Sequence, residues 1–127
     1  MEGWRRKIRC YVSPAGRNKI ADWYNELSPS ERADADAFIG TMRKVKEWNM
    51  PDYRPSLRGG GGLGELRWES SKKQHRLIGF FRGDAFIAVL GCTHKQQIYK
   101  PPDSLETAKR RKQEIDRGEV IPVEYDF

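Results

Sequence analysis

The chain has 127 residues and a mass of 14.8 kDa, room for one domain with a modest core and little for a second. A composition 37% hydrophobic and 33% charged, with four Trp and five Phe, reads as globular and excludes an extensively disordered chain. Lys and Arg total 24 against 18 Asp and Glu, so the net charge of +6 favours an anionic partner, nucleic acid or an acidic protein. The basic start "MEGWRRKIRCYV" lacks the apolar core of a signal peptide, and no later stretch is apolar enough to span a bilayer. A cytoplasmic protein without a membrane partner is therefore expected.

Residues 6–12 alternate around Ile8, Cys10 and Val12 and predict a first strand. Ser13-Pro14 offers a cap and a helix-compatible proline, after which Ile20, Trp23, Tyr24 and Leu27 fall on one helical face. Ser28, Pro29 and Glu31 spell a capping box with proline in the first turn. Ala35, Phe38, Met42 and Val45 then carry a second helix to about residue 47. The two helices predict an antiparallel hairpin whose apolar face needs a covering layer. "NMPDYRPSLRGGGGLG" is a connector, and its four glycines at 59–62 keep it loose or let a ligand approach closely.

Three apolar segments follow, 63–68, 76–81 and 86–92, with "ESSKKQ" and "RGD" as turns. They predict a meander of antiparallel strands, with the continuous run "AFIAVLG" at the sheet centre. A last helix begins near Asp103 or Ser104, turns Leu105, Ala108, Lys112 and Ile115 inward and stops at Gly118. The final nine residues attach as an edge strand or dock as a tail. The expected fold class is α+β, a helical hairpin packed on a small twisted antiparallel sheet with a C-terminal helix or extended tail, in one domain over 1–127.

Cys10 and Cys92 lie far apart, each in a predicted strand, and read as buried free thiols. No zinc spacing, Walker loop or dinucleotide fingerprint is present, so no metal or cofactor is expected. The chemistry-bearing residues concentrate around the three strands. Arg67, Arg76 and Arg82 sit near strand ends or on polar faces, and His94, Lys95, Tyr99 and Lys100 follow the third strand. Arg suits bidentate contact with phosphate, Lys can neutralise transition-state charge, His exchanges protons near neutral pH and Tyr stacks on bases. Three readings stay open on these residues alone: a solvated sheet face, a noncatalytic anion-binding surface, and a catalytic cluster. His75, in a charged turn, reads as solvent-facing.

The helical hairpin followed by "GLGELRW", "HRLIGFF", "AFIAVLGCTHK" and "YKPPDSLETAKRRKQE" resembles the RelE/ParE superfamily of bacterial toxins, in particular its HigB-like, phage-related branch. The ELR element at Glu65–Arg67, Arg76 at the start of the next strand, Thr93-x-Lys95 and Lys100-Pro101 are the closest local matches. The resemblance implies a ribosome-dependent mRNA endonuclease restrained by a cognate antitoxin, a small helix-turn-helix protein, with ribosome and mRNA as further partners. It implies Lys95, Arg76, His94 and Arg67 as catalytic residues, with Lys95 the functional cation and His94 the acid/base group. Arg82, Tyr99, Lys100, Lys72 and Lys73 are the expected RNA contacts. The implied chemistry is metal-independent attack of a 2′-hydroxyl on the adjacent phosphorus, which RNA permits and DNA does not. A ParE-like gyrase poison and a catalytically inactive regulatory binding protein of the same fold are the alternatives.

Overall fold

The computed structural model describes residues 3–127. Ile8 and Cys10 point into the core from a strand shorter than predicted, β1 (Ile8–Cys10). Helix α1 (Lys19–Glu26) starts later than Ser13-Pro14 suggested. Ser13 to Gly16 form a turn instead, and the cap is Asn18, whose Oδ1 accepts from the Ile20 and Ala21 amides at 3.0 Å. Helix α2 (Pro29–Met42) opens on the predicted capping box, with Glu31 N–H donating to Ser28 Oγ at 3.2 Å and Ser28 N–H to Glu31 Oε1 at 3.0 Å.

Helix α2 ends five residues early, because the indole of Trp48 folds back and donates to the carbonyls of Met42 and Val45 at 2.9 and 3.1 Å. Val45 is consequently exposed, although its spacing continued the apolar repeat. The glycine-rich connector also contains a strand, β2 (Tyr53–Arg54), and the run at 59–62 closes into tight turns, with Leu57 N–H donating to the Leu63 carbonyl at 2.9 Å.

The predicted meander is present and longer: β3 (Gly64–Ser70), β4 (Lys73–Arg82) and β5 (Ala85–Lys95). Each turn shrinks to two residues, Ser71-Lys72 and Gly83-Asp84, because the strands pair almost to their ends. A third hairpin, unforeseen in the sequence, turns at Gln96-Gln97 into β6 (Ile98–Lys100). Helix α3 (Ser104–Asp116) follows as predicted, and Gly118 at φ 73° marks its end. The tail adds an edge strand, β7 (Val123–Glu124), antiparallel to β1.

The sheet of seven strands runs β2-β3-β4-β5-β1-β7, with β6 also on β5. It is mixed rather than purely antiparallel, since β1 lies parallel to β5. One edge of β5 pairs with β4; the other is shared by β1 at residues 86–88 and β6 at residues 93–95. That central position buries "AFIAVLG" on both faces, as its continuous apolar run requires.

Helices α1 and α2 cover one face over Leu66, Trp68, Leu77 and Phe86, and α3 covers the other over Ile78, Phe80, Ile87 and Val89. Gly91 admits the first layer: a Cβ there would stand 2.2 Å from the Trp23 ring of α1. A bulge between Ile78 and Gly79 shifts the register of β4 against β5. Cys10 and Cys92 are buried free thiols in opposite layers, each pushed up to about 12 by burial. No helix among the described residues is long and apolar enough to cross a membrane.

Candidate functional site

Strand register gathers the polar residues of the meander. Arg67, Arg76 and Cys92 align across β3, β4 and β5, and Glu69, Gln74, His94 and Tyr99 align one pair further toward the hairpin tips. Two-residue alternation puts all of them, with Glu65, on the α3 face of the sheet. Ser104, at the start of α3, is buried on that face and donates from Oγ to the Pro101 carbonyl at 2.6 Å. Arg67, His94 and Tyr99 lie at the margin of that helical cover and are half-buried, whereas Glu65 and Arg76 are buried.

Glu65 is the hub. Its Oε2 lies 3.1 Å from Arg76 Nε and 3.5 Å from Arg67 Nε, and its Oε1 accepts from the Tyr99 hydroxyl at 2.5 Å. Arg76 also donates from Nη1 to the His75 carbonyl at 2.8 Å. The two Nε–H groups stand at ion-pair distance but off the line of a hydrogen bond, so both are buried donors without a directed acceptor. The His94 ring lies 5.1 Å from that of Tyr99.

Partial burial holds the His94 imidazole below its ordinary value, the charge of Arg76 adds to that, and Glu65 offsets part of it. At neutral pH His94 is therefore weighted toward its uncharged form. Burial and the bond to Glu65 push the Tyr99 phenol up, which keeps it a donor. Burial pulls the Arg76 guanidinium down and Glu65 restores part of that shift. Cation pair, carboxylate, phenol and neutral imidazole together suit a phosphate and a proton in transit.

The lysines form a separate fringe. Lys72, Lys73, Lys95 and Lys100, with Gln74, Thr93, His94 and Gln96, line a cleft of about 490 Å3 at the hairpin tips. Register pairs Thr93 with Lys100 and Lys95 with Ile98, so Lys95 and Lys100 alternate to the face opposite His94 and Tyr99. Lys95 thus meets His94 at the rim of the cleft rather than joining Arg76. Both turns beneath this fringe use non-glycine residues at positive φ: Ser71 at 52° and Lys72 at 62°, Gln96 at 52° and Gln97 at 64°.

Two expectations need correction. Arg82 sits at the opposite end of β4, 3.5 Å from Asp116 of α3, and takes no part in the cluster. His75 is 1% exposed, stacked on Trp68, with Nε2 at 3.2 Å from both Glu31 Oε2 and the Ser70 carbonyl. The capping glutamate of α2 thereby ties that helix to β4. The hub role of Glu65 was missed, although its place two residues before Arg67 on one strand face was the available signal. Among the described residues no group of three or more His, Cys, Asp or Glu side chains is arranged to hold a metal ion.

The family model of phage derived protein Gp49-like (DUF891) matches residues 22–113, well over half of the chain, and the chain belongs to that family. The matched region begins in α1 and ends within α3, so it contains the whole polar cluster. No curated protein and no solved structure matches the chain.

Proposed function

We propose that this Gp49-like protein is a ribosome-dependent mRNA endonuclease that cuts without a metal and acts as the toxin of a toxin–antitoxin pair. The observation that carries the reading is the pair of arginine Nε–H donors held around Glu65 beside a neutral imidazole, at the margin of the helix-covered face. The resemblance to HigB-like toxins supports the same reading, and the net charge of +6 suits an RNA substrate on the ribosome.

The 2′-hydroxyl of one nucleotide attacks the adjacent phosphorus and gives its proton to His94. The bond to the 5′ oxygen breaks, that oxygen takes up a proton from water, and the products are a 2′,3′-cyclic phosphate and a free 5′-hydroxyl. Arg67 at the margin, with Arg76 buried behind it, stabilises the extra charge of the phosphorane, both guanidiniums being held around Glu65. Tyr99 holds Glu65 from its far side. The lysine cleft guides the strand toward the cluster, with Lys95 at the rim. The ribosome holds the mRNA in line for attack, which lets one weak base suffice.

A small helix-turn-helix antitoxin blocking the basic end of the sheet completes the proposal, in a cytoplasmic setting. Purified chain added to translating ribosomes should produce new RNA ends by primer extension, with little cutting when ribosomes are omitted. Intact mRNA across diverse transcripts would sink the endonuclease reading. Trapped cleavage complexes on supercoiled DNA would then favour a gyrase poison, and tight binding without growth arrest a regulatory protein.

A further inference from the structure

Cations also gather where the proposed chemistry has no use for them. Strand β4 has Lys73 at one end and Arg82 at the other, and ten residues at the usual strand rise separate those ends by roughly 30 Å. Beyond the Arg82 end, Gly3, Trp4, Arg5, Lys44 and Lys46 line an open cleft of about 580 Å3. Its walls are fixed by buried Arg6, which donates to the Asp84 carbonyl at 2.7 Å and to the Lys46 carbonyl at 2.6 Å. The segment before β1 is thus held against both the chain after α2 and the β4–β5 turn.

Trp4 is 39% exposed, with the Arg6 guanidinium 5.0 Å and the Lys46 ammonium 5.7 Å from its ring centre. Among the described residues, Arg5, Lys44 and Lys46 have no carboxylate within ion-pair distance. Glu47 and Asp84 line the adjoining cleft instead, on the Trp48 side.

We infer that the Trp4 cleft binds single-stranded nucleic acid, one base stacking on the indole and the flanking phosphates lying on Arg5, Lys44 and Lys46. An exposed indole among cations that have no carboxylate partner among the described residues offers the two things a nucleotide needs, a π-face and positive charge. A base arriving on Trp4 displaces Lys46 from the ring, and its freed ammonium then meets the phosphate. An acidic peptide would engage the lysines and leave the indole unused, which is why the strand of a nucleic acid fits better. None of these residues belongs to the Glu65 cluster, so the site stands whether or not the chain cuts RNA.

The test uses the full chain and short fluorescein-labelled single strands, RNA and DNA of one sequence, in a salt titration. Trp4→Ala should weaken binding about tenfold, and Trp4→Phe, which keeps a stacking ring, should retain most of it. The double variant Lys44→Ala/Lys46→Ala should flatten the logarithmic salt slope by about 1.4, at about 0.7 per lost phosphate contact. A Lys73→Ala/Lys100→Ala variant, altered at the opposite cleft, should still show quenching of tryptophan fluorescence that Trp4→Phe reduces. Should Trp4→Ala melt early through loss of the Arg6 contact, the lysine pair and Trp4→Phe decide. Unchanged affinity and salt slope in the lysine double variant would overturn the site. So would tight binding of polyglutamate together with none of either nucleic acid. Neither result touches the cleavage reading, whose own failure would leave oligonucleotide binding at Trp4 intact.

Discussion

Around Arg76 the charges are sheltered and shared: Glu65 sits between two guanidiniums, Tyr99 closes its other oxygen, and the strand register fixes all four. One hairpin turn away, Lys72, Lys95 and Lys100 stand in solvent with no ion-pair partner among the described residues, and Lys73 reaches only Glu31 at 3.7 Å. The two regions share a sign of charge and little else. Preorganised donors in a low-dielectric setting stabilise a charge that develops at one point. Mobile ammonium groups in water supply a field that draws in a polyanion and fades with salt. The arginines are therefore suited to chemistry and the lysines to capture, a division that substitutions can break.

The largest expected effect is at Arg76. Arg76→Ala leaves the buried carboxylate of Glu65 short of a partner, which should cost about 3 kcal/mol of unfolding free energy. Ribosome-dependent cleavage should fall at least about 100-fold, the usual loss for a preorganised transition-state donor. Arg76→Lys should recover more stability than rate, because it restores charge without the guanidinium fork. Urea unfolding and single-turnover cleavage measured on the same preparations check both. If Arg76→Ala cuts at the unmodified rate, the buried cluster is structural and the chemistry belongs to the fringe.

The electrostatic coupling inside the cluster gives the next effect. His94 lies below its ordinary value of 6.5 because of burial and Arg76, with Glu65 pulling the other way. Arg76→Ala should therefore raise the midpoint of the His94 imidazole in an NMR titration, and Glu65→Gln should lower it. With only two histidines in the chain, and His75 buried against Trp68, the signals are separable. The sign for stability follows. The folded state binds this proton more weakly than the unfolded chain, so stability is undiminished above about 6.5 and falls as pH drops through the folded midpoint beneath it. The cleavage rate should decline over that same acid window, and a titration that ignores Arg76 would detach His94 from the cluster.

What the sequence made legible follows the reach of its signals. Local patterns succeeded in part: Ser28 and Glu31 cap α2 as their spacing says, whereas Ser13-Pro14 forms a turn and leaves the capping of α1 to Asn18. Other errors arose where a distant residue decides. Trp48 ends α2 against the apolar repeat, and the parallel placement of β1 depends on an edge of β5 that no local pattern reveals. The site was legible as a list of residue types and not as an arrangement. Gln96-Gln97 lacks the glycine or asparagine expected of a two-residue hairpin, so β6 was unread, and with it the register that aligns Tyr99 with His94 and turns Lys95 away.

Those same turns yield a smaller effect that separates stability from capture. A non-glycine residue in the left-handed region costs about 1 kcal/mol, so Lys72→Gly should stabilise the fold by roughly that amount in urea unfolding. It also removes an ammonium from the lysine cleft, so binding of a single-stranded RNA should weaken as the protein becomes more stable. A Lys72→Gly variant that is both more stable and equally tight would show that this turn serves neither capture nor any function that repays its strain.

The smallest effect, and the one that cuts most cleanly between the two regions, is at Lys95. The sequence resemblance implies a role for it as the functional cation, while its register places it across the strand from Arg76, exposed at the rim where His94 also reaches. As a capture residue, Lys95→Ala should raise the mRNA concentration needed for half-maximal cleavage on ribosomes by about threefold, the scale of one screened surface charge. It should flatten the salt slope of RNA binding by about 0.7 and leave the maximal rate close to that of the unmodified chain. Lys95→Arg, which keeps the charge, should restore binding fully, since a field at the rim requires no particular fork. A fall in maximal rate as deep as that of Arg76→Ala, without matching loss of RNA binding, would mean that the Lys95 ammonium turns back over the sheet edge to meet the reacting phosphate. The division between buried chemistry and exposed capture would then fail at the residue where the two regions touch.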